Sequence, residues 1–132
     1  MDKRDINLTK YDISPKRYRE LYYFCLQYEE MKEKLNSIYS LQSTRLDNNI
    51  QSSSTLDLTQ KKALAAEKLS REVELIEQTA IAADNEIYQY LLMNVTNQVP
   101  YTFLRYDLGM PCGEKYFYKA RRKFFYLLDM YK

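Results

Sequence analysis

Between residues 15 and 41, Leu21, Phe24, Tyr28, Met31, Leu35 and Ile38 recur at alternating spacings of three and four. That period marks one stripe of a long amphipathic helix. Ser14 followed by Pro15 supplies its start: a capping hydroxyl, then a residue whose fixed φ suits the first helical position. The pattern dissolves in QSTRLDNNIQSSST, residues 42–55, so a polar loop is expected over 42–56. Asp57 and Gln60 then stand at capping-box spacing, and Ala66, Leu69, Val73, Ile76, Ala80 and Ala83 resume the helical period. A second helix is expected from about 58 to 83. Two helices of about 26 residues, each roughly 40 Å long, suit an antiparallel hairpin. Neither stripe can bury itself alone. The seams are therefore expected to meet each other, to meet a second copy or another protein, or to pack on the C-terminal region, and the six apolar residues of the first stripe are the candidate dimer or partner seam.

The remaining residues, 84–132, change character. Asp84 is placed to cap a third helix with Ile87, Leu91, Leu92 and Val95 on its apolar face, closing near Asn97. Pro100 breaks the chain, a short helix is expected over Tyr101–Leu108, and Gly109 allows a left-handed stop. After Met110-Pro111-Cys112-Gly113 a final helix is expected from Glu114 to Met130. Three helices with a short middle one, joined to the last by a glycine turn, are the pattern of a helix-turn-helix unit. The expected fold class is all-α, with a helical hairpin in 1–83 and a small three-helix unit in 84–132.

Helical phase divides the final helix. Phe117, Ala120, Phe124, Leu127, Leu128 and Tyr131 share one side and are expected to close a core with Phe103, Leu104 and Leu108. Lys115, Tyr118, Lys119, Arg122 and Tyr126 lie on the other, flanked by Tyr116 and Lys123, with no carboxylate between Lys115 and Tyr126. Residues 113–132 carry Lys115, Lys119, Arg121, Arg122, Lys123 and Lys132 against Glu114 and Asp129, a net +4 in a chain whose formal charge is +2. The positive field is local, as expected where a helix meets phosphates.

Composition narrows the chemistry. Two glycines and three prolines in 132 residues leave few turns, in keeping with long helices. Histidine is absent, which removes Ser-His and Cys-His nucleophile pairs, a His general base and His-containing zinc sites. The glutamates of the two long segments read as solvated faces with pairs such as Glu67 with Arg71. No enzyme activity, catalytic residue, metal site or cofactor is therefore expected. Cys25 and Cys112, without CxxC spacing, fit reduced thiols. The polar start MDKRDINLTK and the lack of a long apolar run point to a cytoplasmic protein with no membrane partner.

The order of these parts, with KKALAAEKLSREVELIEQTAIAAD in the second helix and LRYDLGMPCGEKYFYKARRKFFYLL over 104–128, resembles the RinA and ArpU group of phage and prophage transcriptional regulators. Their C-terminal parts are similar to region 4 of sigma factors. The resemblance implies sequence-specific binding of double-stranded DNA near phage late genes and regulation of their transcription. On that reading Lys115, Tyr116, Tyr118, Lys119, Arg122 and Lys123 face the major groove, and Tyr101, Thr102 and Arg105 touch the backbone. The hairpin would form a homodimer or reach RNA polymerase. The competing expectation is a phage-encoded inhibitor of a host enzyme or nuclease, of the anti-CRISPR kind, acting by protein contact alone. Its basis is the two amphipathic seams and 14 tyrosines, a residue suited to interfaces.

Overall fold

The computed structural model describes residues 13–46 and 53–132, with side chains for 13–40 and 57–132. The described residues are all-helical: α1 (Pro15–Leu26), α2 (Tyr28–Leu46), α3 (Ser53–Ala83), α4 (Tyr88–Asn97), a π-helical turn (Phe103–Asp107) and α5 (Glu114–Tyr131). Among them no helix is long and apolar enough to cross a membrane.

α1 starts as its sequence directs. The Ser14 hydroxyl accepts the Arg17 backbone N–H at 3.2 Å and Pro15 follows it. The expected single first helix is divided at Gln27, whose N–H turns back to the Phe24 carbonyl at 3.2 Å. That three-residue closure tightens the chain without a glycine or proline. The expected polar loop is narrower than 42–56, because α2 continues to Leu46 and α3 begins at Ser53; residues 47–52 lie outside the described residues. Leu46 stands eleven residues after Leu35, three helical turns, so the apolar period outlasts the polar composition around it.

The chain folds as two compact units. One joins the described residues through Tyr28 with Leu75–Lys132, and the other is Glu29–Glu74. This differs from a division at residue 83, since α1 packs on α4 and α5, which pack on each other. In that first unit Tyr18, Leu21, Ile76, Ile87, Leu91, Val95, Leu104, Met110, Phe117, Phe124, Phe125 and Leu128 are all fully buried. Each such large apolar side chain contributes about 1.5–3 kcal/mol through its burial. The Tyr18 ring meets the edge of Phe125 at 4.9 Å, and Arg17 Nε donates to Asp129 Oδ1 at 2.7 Å, tying α1 to α5. In the second unit Met31, Ala66 and Val73 are buried, Leu35, Ile38 and Leu69 are half-buried, and Arg71 pairs with Glu67 at 3.5 Å as its spacing predicts.

Burial corrects the proposed seam. Leu21, Phe24, Tyr28 and Met31 are interior to the chain itself, so they are not available to a second copy or another protein. Only Leu35 and Ile38 keep partial exposure.

α4 ends with Gln98 at φ 57°, its N–H donating to the Asn94 carbonyl at 3.0 Å and the next N–H, of Val99, to Met93 at 3.4 Å. Pro100 follows this left-handed stop, as it commonly does. The segment expected as a short α-helix closes instead with an i→i−5 bond, Leu108 N–H to the Phe103 carbonyl at 3.1 Å. The wider turn keeps Leu104 inside and leaves Phe103 and Leu108 exposed, against the expectation that both join the core. Gly109, at φ 75°, then reverses the chain, a conformation that favours glycine.

Replacing Phe124 with Ala should lower unfolding stability by about 3–5 kcal/mol in a urea titration. Tyr131, placed on the core side by phase but 59% exposed, should tolerate Ala within about 0.5 kcal/mol.

Candidate nucleic-acid interface

α5 buries Phe117, Ala120, Arg121, Phe124, Phe125 and Leu128 on one side. The other side carries Lys115, Tyr116, Lys119 and Lys123, all exposed, with Arg122 and Tyr126 half-buried beside them. The cations that phase assigns to this side are exposed or half-buried, but one basic residue counted in the terminal charge lies elsewhere.

Arg121 is 7% exposed. Its Nε donates to Asn94 Oδ1 at 2.8 Å and one terminal nitrogen to the Tyr18 hydroxyl at 2.9 Å. The guanidinium also lies 5.0 Å from the Phe125 ring centroid and 5.9 Å from that of Tyr18. Asn94 in turn donates its amide N–H to the Val99 carbonyl at 2.9 Å. A buried cation is tolerable only when hydrogen-bonded and cradled in this way. One of the basic residues in the terminal net charge is thus structural and leaves the exposed field. Phase alone carried the signal: Phe117, Phe124, Phe125 and Leu128 stand at i−4, i+3, i+4 and i+7 from Arg121, and all are buried. Cys25 is buried as well; desolvation pushes its thiol up to about 12, and the nearby Arg121 charge opposes the shift.

The fold also brings a carboxylate to the basic face. Asp84, in the turn after α3, accepts the backbone N–H groups of Glu86 and Ile87 through Oδ1 at 2.9 and 3.1 Å. Its Oδ2 accepts the hydroxyl of Tyr116. Burial pushes the Asp84 carboxyl up, but the bonds from Tyr116, Glu86 and Ile87 and the charge of Lys123 outweigh it and hold the group below its ordinary value. The same hydrogen bond, with burial and the Asp84 charge behind it, pushes the Tyr116 phenol up to about 12. Asp84, Tyr116, Lys119 and Lys123 line one cleft of about 200 Å³ with Ala83 and Ala120. Asp84 closes the turn before α4 rather than capping the helix itself, whose N-cap position is Ile87 without a side-chain bond, and its 32-residue reach to Tyr116 had no local signal.

The remaining candidates lie before α5. The Tyr101 ring sits 5.7 Å from Phe117 and 6.4 Å from Tyr118, so it joins the base of the helix. Thr102 is exposed. Arg105 donates from a terminal nitrogen to the Met110 carbonyl at 2.8 Å, which closes the turn and engages part of its fork. Tyr106 is 77% exposed. Among the described residues no group of His, Cys, Asp and Glu is arranged to hold a metal ion. Neither protein-family models, nor curated proteins, nor solved structures provide a match to this chain.

Arg121→Met should cost about 1–3 kcal/mol in urea unfolding, because Tyr18 and Asn94 lose a charged donor, whereas Lys119→Ala should leave the midpoint in place. Tyr116 holds its proton more tightly in the folded chain than an ordinary phenol does. Its contribution to stability is therefore complete below about pH 10 and drains as pH rises toward 12. Ring NMR should show this late titration, and Asp84→Asn should move it back toward about 10.

Proposed function

We propose that this protein binds double-stranded DNA through the exposed side of α5 and acts as a transcriptional regulator without catalysis. The observation that carries the reading is the separation on one helix between a buried apolar arc and an exposed cationic one. Lys115, Lys119 and Lys123 project from the second, with Arg122 beside them. Cations in a row on a helix match the spacing of phosphates, and a guanidinium beside them suits a guanine edge. On this reading α4, the turn around Phe103–Asp107 and α5 serve as the helix-turn-helix, with Tyr101, Thr102 and part of Arg105 at the backbone. α1 braces that unit from behind. α2 and α3 would form the hairpin, available to RNA polymerase or to a second copy. A homodimer has to use surfaces other than Leu21, Phe24, Tyr28 and Met31, and the setting is the cytoplasm of a bacterial host.

A second reading has its own observation. Phe103, Tyr106 and Leu108 are large apolar residues exposed within six positions of the π-helical turn. Such a patch fits protein contact, as an inhibitor of a host enzyme or nuclease would use.

Fluorescence anisotropy with duplex DNA separates the two. Lys115→Glu combined with Lys119→Glu should weaken binding on the order of a hundredfold, and wild-type affinity should fall steeply with salt. Unchanged affinity in the double variant would discard α5 as the interface. No binding at low salt would favour the protein-contact reading.

A further inference from the structure

We propose that Asp84 is a specificity-determining residue of the α5 face, a fixed negative charge that restrains phosphate from Lys119 and Lys123. This rests on the DNA-binding reading above and concerns how the surface discriminates rather than whether it binds.

Three observations place the charge there. Asp84 lines the same cleft as Lys119 and Lys123. Its carboxylate is held by the Glu86 and Ile87 N–H groups on one oxygen and by the Tyr116 hydroxyl on the other, so it cannot swing away as a free side chain would. Those bonds favour the ionised form.

The consequence for a polyanion follows from sign. A phosphate entering the cleft gains attraction from two ammonium groups and meets repulsion from one carboxylate. The charge of Lys123 acts on Asp84, so the attraction it offers an incoming phosphate is opposed by a carboxylate in the same cleft. Tyr116 is tied to Asp84 and donates its hydroxyl there rather than to a phosphate. Binding driven by backbone charge alone is weakened, whereas contacts to base edges elsewhere on α5 are untouched. Specificity is a difference of affinities, and a repulsive element that acts on every non-specific complex raises it.

The charge can be removed with little change of shape. Asparagine caps a helical turn about as well as aspartate. Its amide can donate to the Tyr116 hydroxyl, which accepts as readily as it donates. Asp84→Asn should therefore fold normally and bind a random-sequence duplex about three- to tenfold more tightly at low salt. It should also elute later from immobilised heparin, a polyanion without bases. The slope of log affinity against log salt should steepen by about 0.9, the increment of one added phosphate contact. Lys123→Ala in the Asp84→Asn background should return both quantities to near wild type.

If Asp84→Asn binds duplex and heparin no more tightly than wild type, while the Lys115→Glu/Lys119→Glu variant still loses DNA, the restraint is overturned and the DNA-binding reading stands. If wild type and Asp84→Asn both fail to bind duplex at low salt, both readings fall.

Discussion

The first unit depends on the burial of one charge. Arg121 is the only Lys, Arg, Asp or Glu in the interior among the described residues, and it reaches Tyr18 on α1 and Asn94 on α4 from α5. Each partner comes from a different helix, so the desolvation cost of the guanidinium is offset only when all three are in register. Apolar packing is permissive about small sliding and rotation, but a planar fork with two directed bonds is not. The residues around it extend the same constraint. Phe125 packs on both Arg121 and Tyr18, and Asn94, which accepts from Arg121 through Oδ1, donates an amide N–H to Val99, just past the left-handed stop of α4.

That register sets which side of α5 faces solvent. With Arg121, Phe124 and Phe125 turned inward, Lys115, Lys119 and Lys123 have no alternative but the outer arc, because helical geometry allows no independent rotation of single residues. The fold and the candidate interface are therefore two aspects of one phase angle. A change that rotated α5 by one residue would bury lysines and expose phenylalanines together.

Much of this was legible locally. The Ser14-Pro15 start, the left-handed glycine at 109, the limits of α5 and the Glu67–Arg71 pair follow from short-range chemistry, and the structure has each of them. The core side of α5 is legible in part: phase places Phe117, Ala120, Phe124 and Leu128 inside, as they are, but it also puts Leu127 and Tyr131 there, which are half-buried and exposed, and it leaves out Phe125 and Arg121, which are buried. What could not be read were relations over long sequence distances. The period of the first stripe says only that it must be covered, and leaves open whether by the hairpin partner, a second copy or the C-terminal region. Leu21 and Phe24 are in fact covered in the unit that holds α4 and α5. The π-helical turn was hidden for a related reason: one residue of extra width changes which of Phe103, Leu104 and Leu108 is inside, and propensity does not distinguish an i→i−5 from an i→i−4 closure.

Asp84 shows how such a distant relation alters the electrostatics of a surface. In sequence it is a capping residue with a role complete within three positions. In space the same carboxylate has a second oxygen turned to Tyr116, next to lysines that charge counting had treated as unopposed. A cap fixes its carboxylate to the backbone, and a fixed charge acts on neighbours with a constancy that an exposed, rotating glutamate lacks. The electrostatics of the α5 face therefore depend on where the turn after α3 must be capped. The hydrogen bonding of that turn and the charge of the surface cannot be altered separately by removing the side chain, only by removing its charge.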